Sequence, residues 1–259
     1  NIGALIDVTF LQSRLAAIPA EQLRGIFGDT VPESISAGNL TAYLYGAFTM
    51  AQNVAMLVPT VAQSFGVSAL PSVAAAWAVG KKENHRNIKK SVESVIRLSA
   101  LVAFPCGFGL AVLPQQVLSL LFSSRPNGVM IAAPVLRVLA VTVILMTISV
   151  PVNSMLQAVG RVDMPVKLLS VGMLLKLVMN YTLVAVPEIN LLGACYGSVV
   201  CYGLITVFGI YILCRTTGIR LSVGAVLGKP MLSAAACAAA AWGVYGFASR
   251  VLSPSVSTV

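Results

Sequence analysis

The chain has 259 residues, of which 58% are hydrophobic and 10% are charged, and its mean hydropathy is +0.90. Soluble domains average about 25% charged residues, so this composition excludes a soluble globular protein and indicates an integral membrane protein. The formal net charge of +9 does not indicate nucleic-acid binding, because most basic residues lie in short loops between apolar segments.

The residue patterns that membrane enzymes need are missing from the sequence. It has no HExxH or GxSxG motif and no phosphate-binding glycine-rich loop, and its five cysteines show no CxxC spacing. The single histidine, His85, lies in a basic loop. We therefore expect no catalytic residue, no metal and no cofactor, and H⁺ or Na⁺ is the ion to consider if the protein is coupled to one.

About seven apolar stretches are long enough to form membrane helices, because roughly 20 residues span the hydrocarbon core. The polar stretch 18–39 is rich in glycine and proline, which predicts a loop or a short surface helix. Stretch 40–79 contains Pro59 and Pro71, which predict one long bent crossing. The sequence thus predicts an all-α polytopic membrane protein. The apolar stretches are 1–17, 40–79, 92–122, 129–159, 166–186, 191–214 and 229–251.

The basic residues predict the orientation of the chain. The loops after the second, fourth and sixth stretches must share one side of the membrane. Eleven lysines and arginines lie on that side and four on the other, and two lie inside the stretches. Because cytoplasmic loops carry the excess of basic residues, we expect loop 80–91 to be cytoplasmic and the protein to lie in a bacterial cytoplasmic membrane. The eleven are Lys81, Lys82, Arg86, Lys89, Lys90, Arg97, Arg161, Lys167, Arg215, Arg220 and Lys229, and the four are Arg14, Arg24, Arg125 and Arg250.

Two basic residues inside the apolar stretches indicate a function at mid-membrane depth. A lysine or arginine at the centre of a membrane helix costs about 2.5 to 3.5 kcal/mol, so it has to face protein or water. Lys176, with Asn180 one turn later, lies at a depth similar to that of Arg137 on the preceding stretch. Together they suggest a solvated cavity that binds an anionic group. Snorkelling to the interface and capping of backbone carbonyls at a kink are the alternatives.

Asp7 and Arg14 are seven residues apart, so they lie on one face of the first predicted helix. Asp7 is the only carboxylate well inside an apolar stretch. The pair fits either a cation or proton site or an ion pair between helices.

The basic segment that leads into the third stretch has cations at three- and four-residue spacing. It fits either a surface helix that contacts anionic lipid headgroups or a solvated face that only fixes the topology. Within it, Glu93 and Arg97 are predicted to form an ion pair one helical turn apart.

A series of motifs carries a family resemblance. From Ser68 to Phe122, a helix ends in Leu-Pro-Ser, a basic loop follows a glycine, and the next helix contains a Pro-x-Gly-x-Gly break. With the later motifs, this order resembles the second lobe of polysaccharide exporters and lipid flippases of the multidrug/oligosaccharidyl-lipid/polysaccharide superfamily, and is most similar to the stage V sporulation protein B group. The residues are Leu70, Pro71, Ser72, Gly80, Arg97, Pro105, Gly107, Gly109 and Phe122, followed by LRVLA (136–140), MLQAVGR (155–161), LLKLVMNYTLV (174–184) and LLGACYGSVV (191–200).

The resemblance implies a transporter of two six-helix lobes around a central cavity. Residues 1–215 are then the second lobe, and 216–259 are a cytoplasmic loop and an additional membrane helix. The implied activity is flipping of an undecaprenyl-diphosphate-linked oligosaccharide or peptidoglycan precursor by alternating access, for polysaccharide, cell-wall or spore assembly. The implied partners are that lipid-linked sugar diphosphate, membrane lipids and the first lobe of the same protein.

The resemblance also bears on the cations inside the stretches. Lys176 and Asn180 match a Lys-x3-Asn pattern and Arg137 matches a Leu-Arg-x-Leu pattern. The hypothesis that follows is that these cations meet the diphosphate of the substrate.

Two other functions stay open. A multidrug exporter of the same superfamily, driven by H⁺ or Na⁺, needs acidic groups to hold cationic drugs, and Asp7 is nearly alone in that role. A non-transporting membrane scaffold is the third reading. We also expect a first lobe to precede this chain in a longer protein, because the sequence begins at Asn1 within a hydrophobic run rather than at Met.

Overall fold

The computed structural model describes residues 12–13, 18–27, 30–32, 35–78, 85–184, 190–219, 221–222 and 224–252. Asp7 and Arg14, and with them most of the first predicted stretch, lie outside the described residues. Within the described part every regular element is helical, and five helices are long and apolar enough to cross a membrane. This confirms the predicted all-α polytopic membrane fold.

The helices follow the predicted order. A short helix, α1, and a 3₁₀ turn occupy the polar stretch, and five long apolar helices (α2, α3, α5, α6 and α7) follow. The last helix, α8, is not among the five, so five of the seven predicted crossings are found in the described residues. The bounds are α1 Ala20–Phe27, the 3₁₀ turn Ala37–Asn39, α2 Leu40–Ala78, α3 His85–Val112, α4 Pro114–Leu121, α5 Pro126–Ala158, α6 Asp163–Leu183, α7 Asn190–Thr217, a π-helical turn Gly224–Gly228 and α8 Lys229–Leu252.

Helix α2 is a single element, as predicted. It continues through Pro59 and Pro71 for 39 residues. At 1.5 Å per residue it is about 58 Å long, so it exceeds the roughly 30 Å hydrocarbon core and has to tilt or project beyond it.

The third predicted crossing, 92–122, is wrong at its C-terminal end, and its helix begins before residue 92, as the surface-helix alternative for the basic segment allows. Helix α3 begins at His85, so the second half of predicted loop 80–91 is already helical. It ends at Val112, and Pro114 starts the separate helix α4. Leu113 between them has φ −121° and ψ 45°, outside the helical region. The proline ring disfavours a helical conformation for the preceding residue, which accounts for the break.

Helix α5 is the centre of the fold. Helices α2, α3 and α7 pack against it, α6 packs mainly against α7, and α8 packs against α3. Close approach depends on small residues. A Cβ at Gly107 of α3 would lie 2.2 Å from Cγ1 of Ile144 on α5, so glycine is needed at that contact. Because α7 lies between α5 and α6, these two consecutive helices scarcely touch.

The described residues in or next to the three predicted basic loops lie at one end of the helices. Arg161, after α5, and Arg215, near the end of α7, line a single surface pocket. The carboxylate Oε1 of Glu93, near the start of α3, accepts hydrogen bonds from the backbone N (3.3 Å) and Oγ (3.0 Å) of Ser222, after α7. The structure thus agrees with the predicted sharing of one side by these loops.

The predicted ion pair between Glu93 and Arg97 is wrong. Glu93 instead approaches Lys89 one turn earlier, with Nζ and Oε1 3.9 Å apart, and accepts the two hydrogen bonds from Ser222. Its partners across the fold hold the carboxylate away from Arg97.

Candidate functional site

Lys176 and Asn180 lie on the buried face of α6. Lys176 is 4% exposed and Asn180 is 0% exposed, whereas other faces of the helix carry exposed apolar residues such as Leu174 and Val178. A lysine that snorkels has to extend its amine toward the interface, so burial of the whole side chain argues against that alternative. The buried residues of α6 are Pro165, Leu168, Gly172, Lys176 and Asn180, spaced by three or four positions.

Glycines bring α7 close to this face. A Cβ at Gly197 would lie 2.6 Å from Oδ1 of Asn180, and one at Gly172 would lie 3.0 Å from Sγ of Cys201. Small residues therefore let the two helices approach and fix where the Asn180 amide sits, as is common between membrane helices. Lys176 lies one turn before Asn180 on the same face of α6, so its side chain is also directed toward the neighbouring helices.

Lys176 lines a cavity where α2, α5, α6 and α7 meet. Five of the lining residues are polar, and none of the described residues that line it is acidic. The space open to water is ≈ 30 Å³, enough for about two water molecules and too small for a sugar. The polar residues are Gln52, Thr142, Lys176, Ser198 and Tyr202, and the others are Phe48, Ala55, Met56, Pro59, Leu139, Val143 and Met146.

Thr142 is a further polar residue of this cavity. It is the middle residue of α5, and its Oγ1 is buried without a hydrogen bond from any residue that the structure describes. Burying a hydroxyl in that state costs about 1 to 3 kcal/mol, so water or a polar ligand is expected to satisfy it. A cationic amine and a hydroxyl can together bind the oxygens of an anion.

Arg137 does not reach this cavity. It lies on an exposed face of α5 with Met130, Pro134 and Val141, whereas Thr142 and Val143 face the cavity. The expectation that Arg137 and Lys176 share one cavity is therefore not met among the described residues. Thr142 and Val143 lie on the face of α5 that lines the cavity, and Arg137 lies on a different, exposed face.

The uncharged cavity residues were missed from the sequence. Gln52, Thr142, Ser198 and Tyr202 each stand in an apolar run. Such residues often serve only as hydrogen-bonding contacts between helices, so their type alone does not distinguish a site from packing. Their convergence on Lys176 becomes visible only in the packed bundle.

A polar face also runs along the outside of α2. Asn53, Thr60, Ser64 and Ser68 are exposed and recur at spacings of four and seven residues. Exposed polar side chains on an apolar membrane helix are expected to face protein or water rather than lipid. Leu57, Val61 and Val67 are exposed among them, so this side of α2 combines polar and apolar side chains, and its polar residues are the part expected to meet protein or water.

These features define a polytopic helical membrane protein with a buried lysine in a cavity that is lined partly by polar side chains. The chain belongs to the MatE family, whose model matches residues 34–182, more than half of the chain.

Two distant curated relatives are consistent with membership of the MatE family. The chain is 24% identical over 181 residues to the probable low-salt glycan biosynthesis flippase Agl15 of Haloferax volcanii, covering 70% of this chain and 37% of that protein. It is 27% identical over 168 residues to an uncharacterized membrane protein of Methanocaldococcus jannaschii, covering 62% and 31%. The chain thus spans about a third of the length of these relatives. No solved structure matches it.

Proposed function

We propose that this chain is one lobe of a flippase for lipid-linked glycans, and that the cavity around Lys176 binds the diphosphate of the lipid. The substrate class is an undecaprenyl-diphosphate-linked oligosaccharide or peptidoglycan precursor. The observation that carries this proposal is the burial of Lys176 within the apolar helix α6, beside polar side chains. Membership of the MatE family and similarity to a protein named as a glycan flippase support it.

A phosphate group has to lose its hydration when it passes through a bilayer, and this costs free energy. Two unit charges 4 Å apart attract by about 4 kcal/mol at an effective dielectric constant near 20, compared with about 1 kcal/mol in water. A buried ammonium near the midplane therefore offsets part of the cost of desolvating a diphosphate. The Thr142 hydroxyl and the Gln52 amide line the same cavity and supply hydrogen-bonding groups.

A second lobe is part of the proposal. The ≈ 30 Å³ open to water around Lys176 cannot hold a sugar headgroup. The exposed side of α2 that carries Asn53, Thr60 and Ser64 is where another lobe would complete a larger cavity. Alternating access would follow from rocking of the two lobes around that cavity. In this arrangement the end with the basic loops is cytoplasmic, in a bacterial cytoplasmic membrane.

The experiment is a transport assay on the full-length protein in proteoliposomes. A fluorescent lipid-linked sugar diphosphate and the cationic dye ethidium would be tested in parallel, with and without H⁺ and Na⁺ gradients. We expect translocation of the lipid and no gradient-dependent movement of ethidium. Gradient-driven ethidium transport without lipid translocation would establish a multidrug exporter instead, and movement of neither would support a non-transporting scaffold.

A further inference from the structure

A second polar site lies between α2 and α3, near the end that carries the basic loops. The groove, called here the α2–α3 groove, has a volume of ≈ 350 Å³ and is separate from the Lys176 cavity. Both helices contribute serines, and Lys90 stands among them. Its lining residues are Phe65, Ser68, Ala69, Ser72, Lys90, Ser91, Ser94, Val95 and Leu98.

The serines of α2 present hydrogen-bond acceptors to the groove. The Oγ of Ser68 donates to the carbonyl of Phe65 (3.1 Å), and the Oγ of Ser72 donates to the carbonyl of Ala69 (2.9 Å). A hydroxyl that has given its proton to the backbone keeps lone pairs that accept hydrogen bonds. The groove therefore suits a ligand rich in hydroxyl donors, such as a sugar.

The α3 side of the groove is cationic. Arg86, Lys90, Ser94 and Arg97 are all exposed, and their spacings of four, four and three residues place them on one face of the helix. Basic residues thus lie on both sides of Ser94. The neighbouring carboxylate, Glu93, is turned toward Lys89 and Ser222. An anionic group is the charge complement of this face.

The depth of the groove fits a lipid headgroup. Ser72 lies six residues from the end of α2 and Ser94 nine residues from the start of α3. At 1.5 Å per residue, these hydroxyls are about 9 and 14 Å from the helix ends. Lys176 is about 20 Å from the start of α6, at Asp163. The groove is therefore closer to the basic end of the protein than the cavity is.

We propose that the α2–α3 groove binds the sugar-phosphate headgroup of the lipid-linked glycan in the cytoplasmic leaflet, before the diphosphate reaches Lys176. The phosphate lies against Lys90 and Arg97, and the sugar hydroxyls donate to the serine oxygens. Phe65 and Leu98 provide apolar contact for the lipid. This inference rests on the proposed flippase function and adds a separate binding site for its substrate.

The test is equilibrium binding of a fluorescent lipid-linked sugar diphosphate to the full-length protein in phosphatidylcholine nanodiscs. A Lys176→Gln background removes the cation of the central cavity, so that the groove dominates binding. In that background, Lys90→Gln is expected to weaken binding about fivefold. This is the change in affinity expected when one cation near an anionic lipid group is removed. Lys167→Gln is the matched control, because Lys167 is also an exposed lysine at the basic end, outside the groove. It should leave the affinity unchanged.

A second variant removes acceptors rather than charge. Ser72→Leu with Ser94→Leu fills the groove with apolar side chains that a membrane helix tolerates, and should weaken binding at least fivefold at equal protein abundance. Unchanged affinity in both this variant and Lys90→Gln would overturn the groove proposal. Equal competition by phosphatidylglycerol would overturn it too, because the groove would then be a general anionic phospholipid site.

Translocation by the unmutated protein separates the two proposals. If that protein moves the lipid while the groove variants bind it normally, only the groove proposal fails. If it neither binds nor moves the lipid, both proposals fail.

Discussion

Replacing Lys176 with glutamine tests the electrostatic role of the buried cation. The substitution removes the charge but keeps a hydrogen-bond donor and much of the side-chain volume. A hydrogen bond to a charged group is worth about 1.5 to 3 kcal/mol, and each 1.4 kcal/mol changes a rate or equilibrium about tenfold. Translocation of a lipid-linked sugar diphosphate should therefore fall by about ten- to a hundredfold.

The same assay in proteoliposomes includes two comparison variants. Lys167→Gln removes an exposed lysine of the same helix, whose ion pair with Asp163 (2.9 Å) is surface-exposed, and should leave transport unchanged. Lys176→Arg keeps the charge and should retain more transport than Lys176→Gln, despite the different shape of guanidinium. Wild-type translocation by Lys176→Gln at equal abundance would show that the charge of Lys176 does not stabilise the diphosphate. Loss of abundance in Lys176→Gln that Lys176→Arg restores without transport would assign Lys176 a structural role.

Three further changes test the packing, the cavity and the topology. Gly197→Ala places a methyl group against the Asn180 amide and should destabilise the detergent-purified protein by about 1 to 3 kcal/mol in thermal unfolding. Gly203→Ala on the same helix is the control, because its new Cβ would lie 3.8 Å from Leu145, an ordinary contact, and stability should not change. Equal destabilisation by the two variants would show that the close contact between Gly197 and Asn180 does not matter. Thr142→Val should not lower thermal stability, because the Thr142 hydroxyl has no hydrogen bond to a described residue, but it should lower lipid translocation. Unchanged translocation would remove Thr142 from the site. Cysteines at His85 and Pro126, each alone in a cysteine-free protein, should react with an impermeant reagent from opposite faces of the membrane, and labelling of both from outside would contradict the topology.

The long helices could be predicted because hydrophobic length determines what crosses a bilayer. The apolar stretch 129–159 corresponds to α5, which runs from Pro126 to Ala158. The break at Leu113 could not be predicted, because prolines at other positions stay inside their helices. Whether a proline interrupts a membrane helix depends on neighbours that satisfy the freed backbone groups, and these are contributed by the tertiary packing.

The sequence could predict the depth of the candidate-site residues along their helices, but not the direction in which their side chains face. Lys176 and Asn180 stand out because charge and amide groups are rare in an apolar stretch, and the structure buries both. Arg137 has a similar depth, but the rotation of α5 turns it outward, and rotation is set by packing against neighbouring helices. The contact between Glu93 and Ser222 joins residues 129 positions apart, beyond what local spacing can indicate.

Photo-crosslinking can test whether the Lys176 cavity binds the diphosphate. The full-length protein is crosslinked to a lipid-linked sugar diphosphate that carries a photoreactive group near the diphosphate. We expect crosslinked peptides that contain residues 139–146 and 176–180. Unlabelled lipid-linked sugar diphosphate should compete with the crosslinking, and Lys176→Gln should reduce it. Crosslinks confined to the exposed apolar faces of α6, or capture that the unlabelled lipid does not compete, would contradict the claim that the Lys176 cavity binds the diphosphate.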